Sequence, residues 1–225
     1  MLPANPTHAI GYYCGRFGSG LFGEPLNSFS NLAFVLGAVV AWHAWRAKPD
    51  RDPWQLLLFI LAALIGVGSF VFHSYPTPET LLVDIVPIKV FGLSALAYIC
   101  LRYMGLQVIV TVALAISFFA LSQGWIAVAP RGALGGGIEH IPSLLALMAT
   151  GITLMRRRVP LGGYLLAACA AYVAAIFVRS WDLYLCPTFP YGVHWIWHIL
   201  TGLTASLIIF GIASVPPRRV FENSA

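Results

Sequence analysis

The sequence predicts an all-α integral membrane protein: a bundle of seven transmembrane helices, N-terminus outside and C-terminus in the cytoplasm. Three observations carry that expectation. Of 225 residues, 59% are hydrophobic and only 9% are charged, where a soluble domain of this size carries about 25% charged residues. The apolar residues gather into seven runs, each near the ~20 residues that a spanning helix needs. The basic residues concentrate in alternate loops, as the positive-inside rule requires. With a mean hydropathy of +0.82, the chain cannot cover itself with polar surface, so lipid is its solvent. Its length leaves room for one domain, 1–225.

The first run covers 26–46 and is closed by Lys48-Pro49-Asp50-Arg51-Asp52-Pro53. The second, 53–73, ends before Tyr75-Pro76-Thr77-Pro78, a turn-forming stretch. The third and fourth are 81–102 and 106–123, and a glycine-rich loop, Gly132 to Gly137, precedes the fifth, 138–155. The sixth and seventh are 160–181 and 192–213. Arg46, Lys48 and Arg51 follow the first run, Arg102 the third, Arg156, Arg157 and Arg158 the fifth, and Arg218 and Arg219 the seventh. The opposite loops hold Arg16 and Arg131, with Arg179 near a helix end. Met1 to Gly11 lacks a basic region followed by an apolar core, so no cleavable signal peptide is expected. The net charge of +5 is spread over short loops, which excludes a nucleic-acid patch. Four cysteines without C-x-x-C spacing argue against a zinc knuckle or a thioredoxin-like site.

Seven spans bring a particular set of side chains to one side of the membrane. These are Glu24, Asn27 and Ser30; Ser69 and His73; Asp84; Glu139 and His140; Arg179 and Asp182; and His194 and His198. Ionisable residues at membrane depth are costly and count as functional candidates. His43, near the inner end, is expected to be interfacial, and Lys89 to snorkel or pair with a carboxylate. Arg179 and Asp182, spaced i, i+3, are expected to form a structural ion pair.

His194 and His198, spaced i, i+4, leave one helix face about 6 Å apart along the axis, a spacing that gives two ligands to one metal. His73 can add a third. Three neutral imidazoles and one water make an open catalytic zinc site, which brings the water's pKa to about 7. Ser69, one turn before His73, could hydrogen-bond a developing oxyanion. Asp84, eleven residues after His73, could act as general base. The reaction class is hydrolysis of an amide or ester entering from lipid. Any one of these histidines alone is more often a packed residue than a ligand; the convergence of all of them argues for metal.

Ser69-x-x-x-His73, Asp84 and His194-x-x-x-His198 together resemble the motif set of the alkaline ceramidases, within a seven-helix metal-hydrolase superfamily that includes the adiponectin and progestin receptors. Glu24-Pro-Leu-Asn27-Ser-Phe-Ser30-Asn31 is similar to the ceramidases' E-x-x-N-x-x-S-N at the start of the first helix. Asp182-x-x-x-Cys186 and His194-Trp-Ile-Trp-His198-Ile-Leu-Thr-Gly-Leu203 resemble their segments around the last helix. The resemblance implies zinc held by His73, His194 and His198, transition-state stabilisation by Ser69, Asp84 working on the water, and an N-acyl sphingoid (ceramide-like) membrane-lipid substrate. It also implies a Cys14–Cys186 disulfide. Cys100 and Cys169 read as small core residues. Where eukaryotic members carry calcium ligands, this chain has Tyr12-Tyr13-Cys14-Gly15-Arg16-Phe17, with no acid. No calcium site is therefore expected, and Glu24 is expected to pair with Asn27, Ser30 or Arg16. The alternatives are a related hydrolase of another N-acyl or ester lipid, a receptor-type member with structural zinc, and a b-type haem protein.

Overall fold

The computed structural model describes residues 13–18, 20–130 and 132–217. Met1 to Tyr12, Arg131, Arg218 and Arg219, which enter the arguments above, lie outside the described residues. Among those residues every regular element is helical, and seven helices are long and apolar enough to cross a membrane.

The first of the seven, Pro25–Arg46, is made of α1 (Pro25–Ser30) and α2 (Leu32–Arg46), which meet at Asn31. The Asn31 amide donates back to the carbonyls of Asn27 (2.8 Å) and Ser28, an arrangement in which a short polar side chain competes with the helical ladder. α3 (Pro53–Ser74) begins at a proline, whose missing N–H is harmless in a first turn. Asp52 caps it by accepting the Trp54 N–H at 2.9 Å. α4 (Pro78–Arg102) starts three residues before the predicted boundary, because Pro78 opens the helix and Thr77 and Thr80 cap each other in a reciprocal box.

α5 (Val108–Val128) runs five residues past the predicted end. Its polar Gln123 is accommodated by Lys89, whose ammonium donates to the amide oxygen at 3.3 Å, so the partner of Lys89 is an amide where a carboxylate was an option. The glycine run lies in a 3₁₀ stretch, Ala133–His140, that takes positive φ at Leu134, Gly135 and Gly136. α6 (Ile141–Arg156), α7 (Leu161–Leu185) and α8 (His194–Ser214) complete the chain.

α8 packs between α2 and α7 and also touches α3; α4 flanks α3, and α6 flanks α7. The core inside this set includes Leu58, Ile65, Tyr98, Leu154, Leu165, Ile209 and Ile212. Without a hydrophobic driving force between helices in lipid, close backbone approach matters more. Gly68 provides it: a Cβ there would collide with the Val83 carbonyl and crowd the Asp84 Cα. That contact fixes α4 against α3 at the level of Ser69.

Candidate metal centre

The site is organised from the start of α8. Asp182, near the end of α7 and 2% exposed, accepts the backbone N–H groups of Val193 (2.8 Å) and His194 (2.9 Å) with one oxygen. Its other oxygen accepts the Cys14 N–H at 3.2 Å. A carboxylate is stabilised at a helix N-terminus by the unpaired amides and the dipole, so Asp182 holds the first turn of α8 and the chain before α1 together. Cys14 and Cys186 are disulfide-bonded with a Cα–Cα distance of 5.6 Å, within the usual range. The expected Arg179–Asp182 ion pair is not formed: both carboxylate oxygens are committed to amides, and Arg179 donates its Nε–H to the Gly135 carbonyl at 2.8 Å.

His194 and His198 from α8 and His73 from α3 converge. All three are buried, and one ring nitrogen from each lies within 4.8 Å of the others. The ring centroids are 4.6 Å apart for His73–His198 and His194–His198, and 5.3 Å for His73–His194. The imidazoles are oriented from behind. His73 Nδ1 lies 2.6 Å from Glu24 Oε2, and His198 Nδ1 lies 2.9 Å from Ser30 Oγ. Both Nε2 atoms are thereby left for a ligand, which is how carboxylates and hydroxyls fix the tautomer of metal-binding histidines. His194 Nδ1 is buried and has no partner among the described residues. Three desolvated imidazoles this close could not all be protonated, and a buried nitrogen without a partner is costly. A metal ion satisfies both conditions, so these residues fit one.

Glu24 is fully buried and lies at the centre of the support. It forms an ion pair with Arg16 and accepts from the Asn27 amide at 2.9 Å as well as from His73. Burial pushes its carboxyl up to about 7, against the Asn27 hydrogen bond and the Arg16 charge, which pull it down. Ion-paired with Arg16, the ionised form of Glu24 accepts the His73 Nδ1–H in that contact. Arg16 also donates to the His73 carbonyl at 3.3 Å. The expected Glu24 pairings thus hold for Arg16 and Asn27. Ser30 serves His198 instead.

Ser69 and Asp84 lie on either side of the close α3–α4 contact, where a Cβ on Gly68 would crowd the Asp84 Cα. Ser69 is buried and Asp84 half-buried. Neither is among the clustered ligand atoms, and Asp84 has no ion pair among the described residues.

Sequence reasoning missed the aromatic wall of the site. The Tyr13 ring stacks on His194 at 4.0 Å with 20° between planes and tilts against His73. Trp197 contacts His140 at 4.9 Å, and His140 Nδ1 is paired with the Tyr172 hydroxyl at 2.8 Å. Glu139 points outward and is exposed. Also missed were the contacts of Glu24 and Ser30 with the ligand histidines. Their signal is present in Glu24, Asn27, Ser30 and Asn31, which repeat at helical spacing along one face at the start of an apolar run. Two hollows, of about 300 Å³ between α4, α5 and α6 and about 210 Å³ between α2 and α3, are apolar and lined by none of the three histidines. Cys100 and Cys169 are buried free thiols. No family model matches the chain, and neither does any curated protein.

Proposed function

We propose that the protein is an integral membrane zinc hydrolase that cleaves the N-acyl amide of a ceramide-like lipid into a fatty acid and an amine. The observation that carries this reading is the buried triad of His73, His194 and His198, with two rings buttressed through Nδ1 by Glu24 and Ser30. A nitrogen-only donor set of three imidazoles suits zinc with an open position. The loop charges support an outer N-terminus and, with it, a triad in the outer half of the membrane.

Zinc in this triad would supply Lewis acidity, polarising a carbonyl and bringing the ionisation of water close to neutrality. The chain's own residues do the rest. Glu24 and Ser30 hold two imidazoles in register. The Asp84 carboxylate takes the proton of the attacking water and passes it to the departing amine nitrogen. The Ser69 hydroxyl donates to the oxygen on which charge develops. The close approach of α4 to α3 at Gly68 supports these roles, because it brings Asp84 beside the Ser69–His73 stretch.

Incubating pure protein with a panel of N-acyl lipids and measuring released fatty acid by mass spectrometry tests the reading. Release should occur, Asp84→Asn should abolish it, and elemental analysis of that variant should still find about one zinc per chain. Zinc without release of any acid would favour a receptor-type protein. A Soret band in the purified protein would replace zinc with haem.

A further inference from the structure

One cation at this end of the bundle has no role in the chemistry above. Arg179 lies half-buried in α7, six residues before the helix ends, where a charge at membrane depth is costly and marks a functional position. Asp182 is committed to three backbone amides. The ion pairs among the described residues are Arg16–Glu24, His73–Glu24 and Arg102–Asp52, so Arg179 has no carboxylate partner among them. Among the described residues only its Nε donates, to the Gly135 carbonyl. The two terminal nitrogens, which form the bidentate end of the guanidinium fork, are left.

Two observations show that this position is built. The guanidinium carbon lies 4.8 Å over the Trp197 ring and 5.7 Å over the Tyr13 ring. Tyr13 is the ring stacked on His194, so Arg179 is one aromatic layer from the triad, on the head-group side in the orientation proposed above. The glycine run is shaped to it as well. Gly135 (φ +60°) and Gly136 (φ +84°) adopt left-handed backbone that favours glycine. A Cβ on Gly136 would lie 3.2 Å from the Arg179 Nη2, and one on Gly135 would collide with the Arg179 carbonyl.

Of the carboxylates around the site, Glu24 is answered by Arg16 and Asp182 by amides, and neither pairs with Arg179. We infer that Arg179 is the specificity-determining residue of the site, and that the lipid it selects carries an oxyanion, carboxylate or phosphate, on the head-group side of the scissile amide. Among ceramide-like N-acyl lipids, the selected one then carries a carboxylate or phosphate at the head-group end, as an N-acyl amino acid or an N-acyl lipid phosphate does. The inference rests on the hydrolase reading for where the bond is cut, but anion binding does not need turnover.

The test uses full-length, chelator-treated protein in neutral detergent, with N-palmitoylglycine and its neutral counterpart N-palmitoylglycinamide as probes. The acid should bind about tenfold to a hundredfold more tightly, as expected for hydrogen bonds to a charged group. Arg179→Gln should bring the ratio near one, Arg179→Lys should keep part of it, and Gly136→Ala should lower it with the guanidinium still present. Equal affinity of the native protein for acid and amide overturns the proposal, as does a ratio unchanged in Arg179→Gln. If Arg179→Gln and Gly136→Ala do not fold, the Arg179→Lys ratio decides: an unchanged ratio overturns it. N-palmitoyl phosphoethanolamine in place of the acid shows whether the oxyanion is phosphate. A preference that vanishes in anionic-lipid nanodiscs and survives in neutral ones gives Arg179 to bilayer phosphate and overturns the selection of substrate. With metal restored, equal hydrolysis of ceramide and N-palmitoylglycine removes the specificity and leaves the hydrolase. Acid-selective binding with no hydrolysis of any lipid does the reverse.

Discussion

The two halves of the bundle are built differently. In the most apolar stretches of α3 and α8, 56% of residues are buried, against 22% in α4, 17% in the Ala133–Arg156 span and 6% in α5. The first half, α1 to α3 with α7 and α8, holds all three clustered histidines, both residues that orient them, and the anchor of the disulfide-bonded segment, Asp182. The second half encloses the apolar hollow between Leu96, Cys100, Leu114, Phe118, Ala146 and Ala149. Metal ligation requires donor atoms fixed to within a few tenths of an ångström, and only close packing supplies that. Lipid-facing helices carry no such demand, so α5 can be apolar on every side and bury little more than Thr111.

The largest effect expected from this contrast is on metal. His73→Ala, His194→Ala or His198→Ala removes one of three ligands, and bound metal should fall from about one per chain to below about a tenth, read by elemental analysis. Thr150→Ala, beside the hollow, should leave the metal content unchanged. A His194→Ala protein that keeps its metal would show that the triad is only a packed cluster.

Stability should divide along the same line. Ile209 is fully buried on α8, and Ile209→Ala should cost about 2–5 kcal/mol, as other large-to-small core substitutions do. Leu121, 73% exposed on α5, should change stability by about 0.5 kcal/mol or less when replaced by Ala. Reversible unfolding in mixed micelles measures both, and similar losses at the two positions would mean that α5 packs more closely than its exposure indicates.

A smaller effect tests how the compact half aims its ligands. Glu24→Gln keeps the shape of the side chain but removes the charge that accepts the His73 Nδ1–H. Metal affinity should fall about 10- to 100-fold, the usual consequence of losing a partner behind a ligating histidine. Ser30→Ala should act in the same direction through His198 and by less, since a neutral hydroxyl is the weaker partner. Titration with a competing chelator separates the two, and an unchanged Glu24→Gln affinity would leave Glu24 as a partner of Arg16 alone.

What the sequence disclosed follows the same division. Hydropathy marks every span because each must meet lipid on some face, and the i, i+4 histidines and His73 are visible as polar breaks in apolar runs. The ends of helices were less legible. Pro78 was read with the turn before it, although proline is as well suited to a first helical turn. Gln123 looked like an end of helix until Lys89 supplied its partner across the bundle. The Arg179–Asp182 pairing failed for a related reason: helical spacing permits that pair, but amides from two other segments compete for the same carboxylate, and no local pattern reveals them. Tyr13 was invisible as a site residue because its position on His194 depends on the Cys14–Cys186 link and the Asp182 contacts, which join residues far apart in the chain.

The smallest expected effect is the sharpest probe of the loose half. Ala149 of α6 is exposed and borders the hollow of about 300 Å³, whereas Ala205 of α8 is buried in the core. Adding the same three carbons to each asks whether the surrounding structure has room. Ala205→Leu should cost about 1–3 kcal/mol, because a packed core accommodates extra methylenes only by moving side chains off their rotamers. Ala149→Leu should stay within about 0.5 kcal/mol of the native protein, since its side chain meets open apolar space rather than a neighbour. A loss of the same size at both positions, measured by reversible unfolding, would mean that α4, α5 and α6 close up around Ala149 in the membrane, and the contrast between the halves would then be one of composition and not of packing.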